Sequence, residues 1–227
     1  MPPYRCAEWP PSGGAGPALR SARHICLIAL RDDPGVSFGA REETMGLRGL
    51  PICEIRFDAC RLPADRLLGA PGGAMAVLGA TGLVTVLGAA AAALGVAEAA
   101  FAATREHLQT RTILGQPLAA NPAVQAAAVR IASDLDGAHA RLAHGLAVMQ
   151  SGVQGPPVAL WLTKIAVTEA AADITLRCQK LFGAVGYSSA LPIERHVRDV
   201  IPFGIHWGNN DALMDMAGKM LFAPPPG

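Results

Sequence analysis

The chain has 227 residues, 51% of them hydrophobic and 16% charged, enough to bury a substantial core in one domain, or in one domain with a small appendage. Nineteen basic against eighteen acidic residues leave a net charge of +1, and no stretch concentrates Lys or Arg as a phosphate backbone requires, so nucleic acid is not an expected partner. The five cysteines, Cys6, Cys26, Cys53, Cys60 and Cys178, show no CxxC spacing and follow no signal peptide, so free thiols in a cytoplasmic protein are expected, with no metal site and no disulfide framework.

Residues 1–22 hold Pro2, Pro3, Pro10, Pro11, Gly13, Gly14, Gly16 and Pro17, a density that blocks helix and ladder alike and predicts a flexible arm. From 23 to 70 short apolar runs alternate with turn residues: Ile25 to Leu30, then Asp33-Pro34-Gly35, then Ile52 to Phe57. The last run alternates apolar and charged residues as a half-buried strand does, and the segment is too short to make a full sheet alone. From 71 to 222 the composition is helical, with long helices expected over 74–110, 122–151 and 156–182 and a shorter one over 210–222. Gly115-Gln116-Pro117, residues 152–157 and residues 183–186 stop the three long ones, and Pro224-Pro225-Pro226 falls in a tail over 223–227. The expected fold is mainly α, an antiparallel helical bundle with a small β-segment on its N-terminal side.

Gly72 to Ala97 carries no charge and is long enough to cross a bilayer. Its residues are mostly Ala and Gly, with no aromatic belt and no flanking Lys/Arg cluster, which suits close helix packing. A buried helix is expected there, and no membrane partner.

The wording of several segments resembles the acyl-CoA dehydrogenases. Met45-Gly46-Leu47-Arg48-Gly49-Leu50-Pro51, then Phe57-Asp58 and Arg61 to Gly69, resemble the family's exit from its β-domain. Leu94-Gly95-Val96-Ala97 resembles its "LGIA", Arg111 to Pro117 its "RxxFGxP", Lys180 to Tyr187 its "QxxGGxGY", and Pro192 to Asp199 its "PVERxxRD". The matches run in family order from Ile25 to Phe222. The resemblance implies the C-terminal four-helix bundle of a three-domain fold that assembles around FAD. The first domain and part of the β-domain have no counterpart in this sequence, and nothing in residues 1–22 resembles the segments that wrap the isoalloxazine ring.

Dehydrogenating an acyl thioester needs a carboxylate to take the α-proton while flavin takes hydride from the β-carbon. The family sets that Glu in "IYEGT"; the matching stretch is Ile205-His206-Trp207-Gly208-Asn209, so the base position holds Trp207, which cannot act as a base. Other members carry the Glu ten residues before the Gly of "LGIA", and that position is Thr85. The pantetheine-holding Asp and Arg of the same helix match Leu83 and Val86. Of four flavin contacts Arg111 is kept, while Leu114, Pro122 and Lys180 stand where the family has an aromatic residue and two glutamines.

The scaffold is kept and the pocket is made more apolar, which points to a greasier ligand. Leu83, Thr85, Val86, Ile205, Trp207 and Gly208 are the expected pocket. His206 is the candidate acid or base, although a lone histidine is more often a structural hydrogen-bonder than a catalyst. Arg198-Asp199 reads as a structural ion pair near the end of the bundle. His24, His107, His139, His144 and His196 form no metal constellation, although His139 and His144 lie close on one helix. Three functions follow from the resemblance. The first is a non-redox enzyme of cyclase or isomerase type acting on an apolar acyl or polyketide-like substrate, with no cofactor expected. The second is a non-catalytic subunit paired with a full-length family member. The third is an FAD-dependent dehydrogenase with relocated residues. A homo-oligomer or hetero-oligomer is expected in each case.

Overall fold

A computed structural model of the protein describes Tyr4–Arg5, residues 24–152 and residues 157–223. The arm expected over 1–22, Tyr4–Arg5 apart, and the tail after residue 223 lie outside the described residues. The chain divides into two compact units, one of Met1–Thr44 with Arg48–Thr81, the other of Met45–Leu47 with Gly82–Gly227.

The first unit holds β1 (Tyr4–Arg5), β2 (Cys26–Leu27), β3 (Val36–Arg41), β4 (Cys53–Phe57), β5 (Arg61–Leu62) and β6 (Leu67–Leu68). Each sheet has two strands, β1 with β5, β2 with β6 and β3 with β4, all antiparallel. The turn before β3 needs a glycine: Gly35 sits at φ +88°, and a Cβ there would lie 2.2 Å from the Asp58 carbonyl oxygen. Asp33 steadies the same turn, its carboxylate accepting the Leu30 amide at 2.6 Å and pairing with Arg66. The Arg66 guanidinium holds the Asp33 carboxyl below the usual carboxylate range.

Three expectations fail in this unit. Tyr4–Arg5, in the arm expected to form no ladder, pairs with β5. Of the run Ile25 to Leu30 only Cys26–Leu27 enters a ladder. The strand over Ile52 to Phe57 forms, but it is not half-buried: Ile55 is 51% exposed and Phe57 47%, because the hairpin with β3 has no second layer against it among the described residues. Strand β3 was not expected, although Val36, Phe38 and Ala40 alternate with Ser37, Gly39 and Arg41 at the strand period.

The second unit is the helical one. It holds most of α1 (Ala74–Thr110), which begins in the first unit, then β7 (Thr112–Ile113) and β8 (Gln116–Pro117). After these come α2 (Pro122–Gln150), α3 (Val158–Leu181), α4 (Ile193–Val200), α5 (Pro202–Ile205) and α6 (Asn210–Leu221). The three long helices fall within a few residues of the expected bounds. Asn121 caps α2 by accepting the Ala123 amide at 2.9 Å, with Pro122 as the first helical residue, and Asn209 caps α6 by accepting the Asp211 amide at 2.8 Å. The short helices α4 and α5 were not foreseen, because eight and four residues show too little of a helical period.

The core is built from small residues. Ala90, Ala93, Ala97 and Ala100 of α1 meet Ile131, Leu135 and Ala138 of α2 and Val167, Ala171 and Ile174 of α3. Gly145 of α2 is buried where a Cβ would lie 2.7 Å from the Thr163 side chain of α3. Helix α3 is buried on several faces, since α2, α4, α5 and α6 all pack on it. Its buried Thr163, Thr168 and Thr175 donate their hydroxyls to carbonyls four residues back, so none of these three hydroxyls is stranded. By length and composition alone α1 could cross a bilayer. The burial expected over Gly72 to Ala97 holds only in part: Met75, Leu78 and Val84 are exposed, while the segment from Ala89 to Ala100 contributes six buried residues to this core.

Met45–Leu47 docks on α4. The Asp199 carboxylate accepts the Leu47 amide at 2.6 Å, and the Arg198 guanidinium donates to the Met45 carbonyl. Arg198 and Asp199 are therefore not each other's ion-pair partners. Arg198 pairs with Glu194 at 2.6 Å, one helical turn away, because neighbouring helix positions point about 100° apart whereas positions i and i+4 share a face.

Candidate functional site

The chain leaves α5 through a sharp bend. Trp207 sits at φ +54° and Gly208 at φ +95°, so the bend places a bulky residue in the left-handed region. The indole is half-buried against the core, stacked on Phe203 with ring centroids 5.3 Å apart, and His206 meets it edge-on at 5.7 Å. His206 itself is exposed, and Ile205 is 56% exposed.

Beneath the bend lies a residue that sequence reasoning missed. Lys164 of α3 is fully buried and donates from Nζ to the Gly208 carbonyl at 2.5 Å and to Asn210 Oδ1 at 2.7 Å. Asn210 in turn donates from Nδ2 to the Thr168 hydroxyl at 3.1 Å. No carboxylate pairs with Lys164 among the described residues. Burial pushes its pKa down to about 8, with the charge of Glu169 acting in the opposite sense. The signal was available: one Lys in the apolar run Leu160-Trp161-Leu162-Thr163-Lys164-Ile165-Ala166-Val167.

On α1, Val86 is buried, Leu83 is half-buried and Thr85 is exposed. Leu83 and Val86, three residues apart, share a helix face, while Thr85 turns away from it. The structure thus gathers Ile205, His206, Trp207 and Gly208 in one bend and Leu83 with Val86 on one face. None of the three clefts described next is lined by any of these residues.

The largest of those clefts, about 830 Å³, brings Arg111 and Lys180 together. Ile113, Leu118, Leu181 and Leu191 supply apolar walls, and His107 stacks on Phe182 at 4.2 Å. Burial, and then the charge of Arg111, hold the His107 pKa below the usual imidazole range. The cleft has the chemistry for an anion beside a flat apolar group. The other two expected flavin positions do not join it. Leu114 is 99% exposed at the tip of the β7–β8 turn, φ +53°, and Pro122 starts α2 with its ring exposed. Arg111 and Lys180 fit the diphosphate of a dinucleotide, while Leu114 and Pro122 add nothing to it, so the FAD fit is partial.

The two smaller clefts are lined by paired charges. Arg177 bridges Asp134 at 2.6 Å and Asp173 at 2.8 Å between α2 and α3, and His139 meets Glu98 at 2.7 Å between α2 and α1. No group of three or more metal-ligating side chains occurs among the described residues.

A bundle of long Ala-rich helices, with Met45–Leu47 docked on α4 and a bend between α5 and α6, has the form of the C-terminal helical domain of an acyl-CoA dehydrogenase. The family described as acyl-CoA dehydrogenase, C-terminal domain, matches residues 74–222, and the chain belongs to the acyl-CoA dehydrogenase family. It is 30% identical over 206 residues to the mitochondrial short-chain specific acyl-CoA dehydrogenase of Homo sapiens, covering 90% of this chain and 50% of that one. It is 33% identical over 205 residues to a 3-sulfinopropanoyl-CoA desulfinase of Variovorax paradoxus, covering 87% of this chain and 50% of the relative. Butyryl-CoA dehydrogenase from Megasphaera elsdenii superposes with a TM-score of 0.81 at 27% identity, over 87% of this chain and 51% of that structure. The chain spans about half the length of the curated relatives it matches.

Proposed function

We propose that this member of the family does not dehydrogenate, and that it isomerises or cyclises an apolar acyl or polyketide-like substrate in the cytoplasm as a homo-oligomer. One observation carries the reading: of the two places where the family sets its base, one is Trp207, stacked on Phe203 in a strained bend, and the other is Thr85. An indole cannot take a proton from carbon, and a threonine hydroxyl does so only with a partner base. The replacements Leu83 and Val86 supply apolar surface in place of a carboxylate and a guanidinium, which favours hydrocarbon over a polar thioester arm. His206, exposed beside the indole, is the group that would take a proton from one substrate carbon and return it to another. Isomerisation and ring closure of that kind conserve electrons and need no acceptor. One of the relatives is named as a desulfinase rather than a dehydrogenase, which supports chemistry outside dehydrogenation within the family.

The test is an acyl-CoA dehydrogenation assay with added FAD and a dye acceptor, run on the full chain and on Trp207→Glu. No dye reduction is expected from either protein. Dye reduction by the unaltered chain overturns the reading.

A second reading is favoured by Arg111 and Lys180 sharing one cleft: a subunit that holds the anionic end of a dinucleotide beside a full-length family member. Equilibrium dialysis against FAD, of this chain alone and of the mixture compared with the partner alone, separates it from the first, since the first expects this chain to add no uptake in either case.

A further inference from the structure

Lys164 is a buried cation whose partners, among the described residues, are a carbonyl and an amide oxygen. Sealing an ammonium away from water without a carboxylate is costly, so its neighbours have to explain its presence. Both its acceptors belong to one short stretch, the carbonyl of Gly208 and the side chain of Asn210, the first residue of α6. Between the two lies Asn209, which caps α6 through the Asp211 amide. One residue before Gly208, Trp207 is held at φ +54°, a backbone form that bulky L residues avoid unless their surroundings impose it.

We infer that Lys164 is a positioning residue for the bend at His206–Asn209: its ammonium grips the Gly208 carbonyl and Asn210 Oδ1 together and thereby fixes where the Trp207 indole lies. The inference concerns this chain's own geometry. Only its meaning for a ligand, that Lys164 sets the shape of the pocket wall, rests on the function proposed above.

Charge-assisted hydrogen bonds weaken when the donor loses its proton, so the bend should report the charge on Lys164. Burial brings that titration down to about pH 8. The elements packed on α3 carry His139 and His144 on α2, His196 and Asp199 on α4, and Asp211 and Asp215 on α6, with His206 in the bend. Of these, His196 is held below the usual imidazole range by burial. On α3 itself, Glu169 acts on Lys164 by charge, and burial drives the Cys178 thiol above its ordinary range.

The experiment labels the full chain with 5-fluorotryptophan and follows its Trp resonances by fluorine NMR from acid to alkaline pH, with Trp207 assigned by Trp207→Phe. The Trp207 resonance is expected to move with a midpoint near pH 8, as the lysine titrates. Lys164→Arg, which keeps its charge and leaves the N-terminal amine in place, should abolish that transition. Asn210→Asp sets a carboxylate against the ammonium and should raise the midpoint by about one unit or more. Lys164→Met should displace or broaden the Trp207 resonance at neutral pH while the far-ultraviolet circular dichroism stays helical. Should that variant fail to fold, the titrations of the unaltered chain and of Asn210→Asp decide. A Trp207 resonance indifferent to pH across the range, or a transition that persists in Lys164→Arg, overturns the inference. Dye reduction or bound flavin would overturn the proposed function and leave this result standing.

Discussion

The Asp199 carboxylate accepts the backbone N–H of Leu47 at 2.6 Å, across 152 positions of chain. That bond, with the Arg198 guanidinium on the Met45 carbonyl, ties a three-residue strap to α4. Beside it, a Cβ on Gly46 would lie 2.2 Å from the Arg198 carbonyl oxygen, so the strap closes only over glycine. Asp199→Ala should lower unfolding stability by about 1–3 kcal/mol, the range for a bond to a charged group. Gly46→Ala should cost at least as much, because the clash is with backbone that cannot turn aside. Urea unfolding followed by circular dichroism measures both.

Gly145 and Thr163 set the approach of α2 to α3. Because the Thr163 side chain already donates to the Ala159 carbonyl, it has little freedom to yield to a new methyl 2.7 Å away. Gly145→Ala should destabilise by about 1–3 kcal/mol, although alanine is the better helix former by about 1 kcal/mol. A gain in the urea midpoint would mean that the helices separate more easily than this packing implies.

The buried Lys164 gives stability a pH dependence of definite sign. Its pKa falls from 10.5 to about 8 on folding, so below pH 8 the ammonium is charged in both states and its burial cost, about 3 kcal/mol, is fully present. Between those two values the unfolded chain holds a proton that the folded chain lacks, and stability rises with pH. The urea midpoint should therefore increase from pH 8 to pH 10. Lys164→Arg should remove that increase, since arginine stays charged throughout.

The long helices were legible because Ala-rich composition and Gly/Pro stops agree over 74–110, 122–150 and 158–181. The strap and the bend were legible only as family wording, since Met45–Leu47 and Ile205–Gly208 are too short to carry a period. Arg198-Asp199 misled because adjacency in sequence is not adjacency on a helix, and Glu194 is the true partner. Lys164 escaped notice because propensity treats lysine as an exposed helix former, and only the fold reveals that α3 is covered on several sides. The convergence of Arg111 with Lys180, and the absence of Leu114 and Pro122 from their cleft, depend on how the turns between helices close. No local pattern encodes that.

At the bend, His206 and Trp207 should separate chemistry from packing. His206→Ala removes an exposed side chain, so unfolding should change by less than about 0.5 kcal/mol, while turnover of a converted acyl substrate should fall by about 100-fold or more. Trp207→Ala strips a half-buried indole from Phe203 and should cost about 1–3 kcal/mol, less than a fully buried aromatic residue. Under the proposed function it should also broaden the product distribution, because the indole no longer shapes the surface that holds the substrate. Chromatography of the products alongside urea titration reads both effects.

Under the function proposed above this acyl-CoA dehydrogenase homologue works without flavin, and the visible absorption spectrum of the purified protein decides the matter. A colourless protein that stays colourless after incubation with FAD and gel filtration is expected. A yellow protein carrying flavin near one equivalent per chain would contradict it.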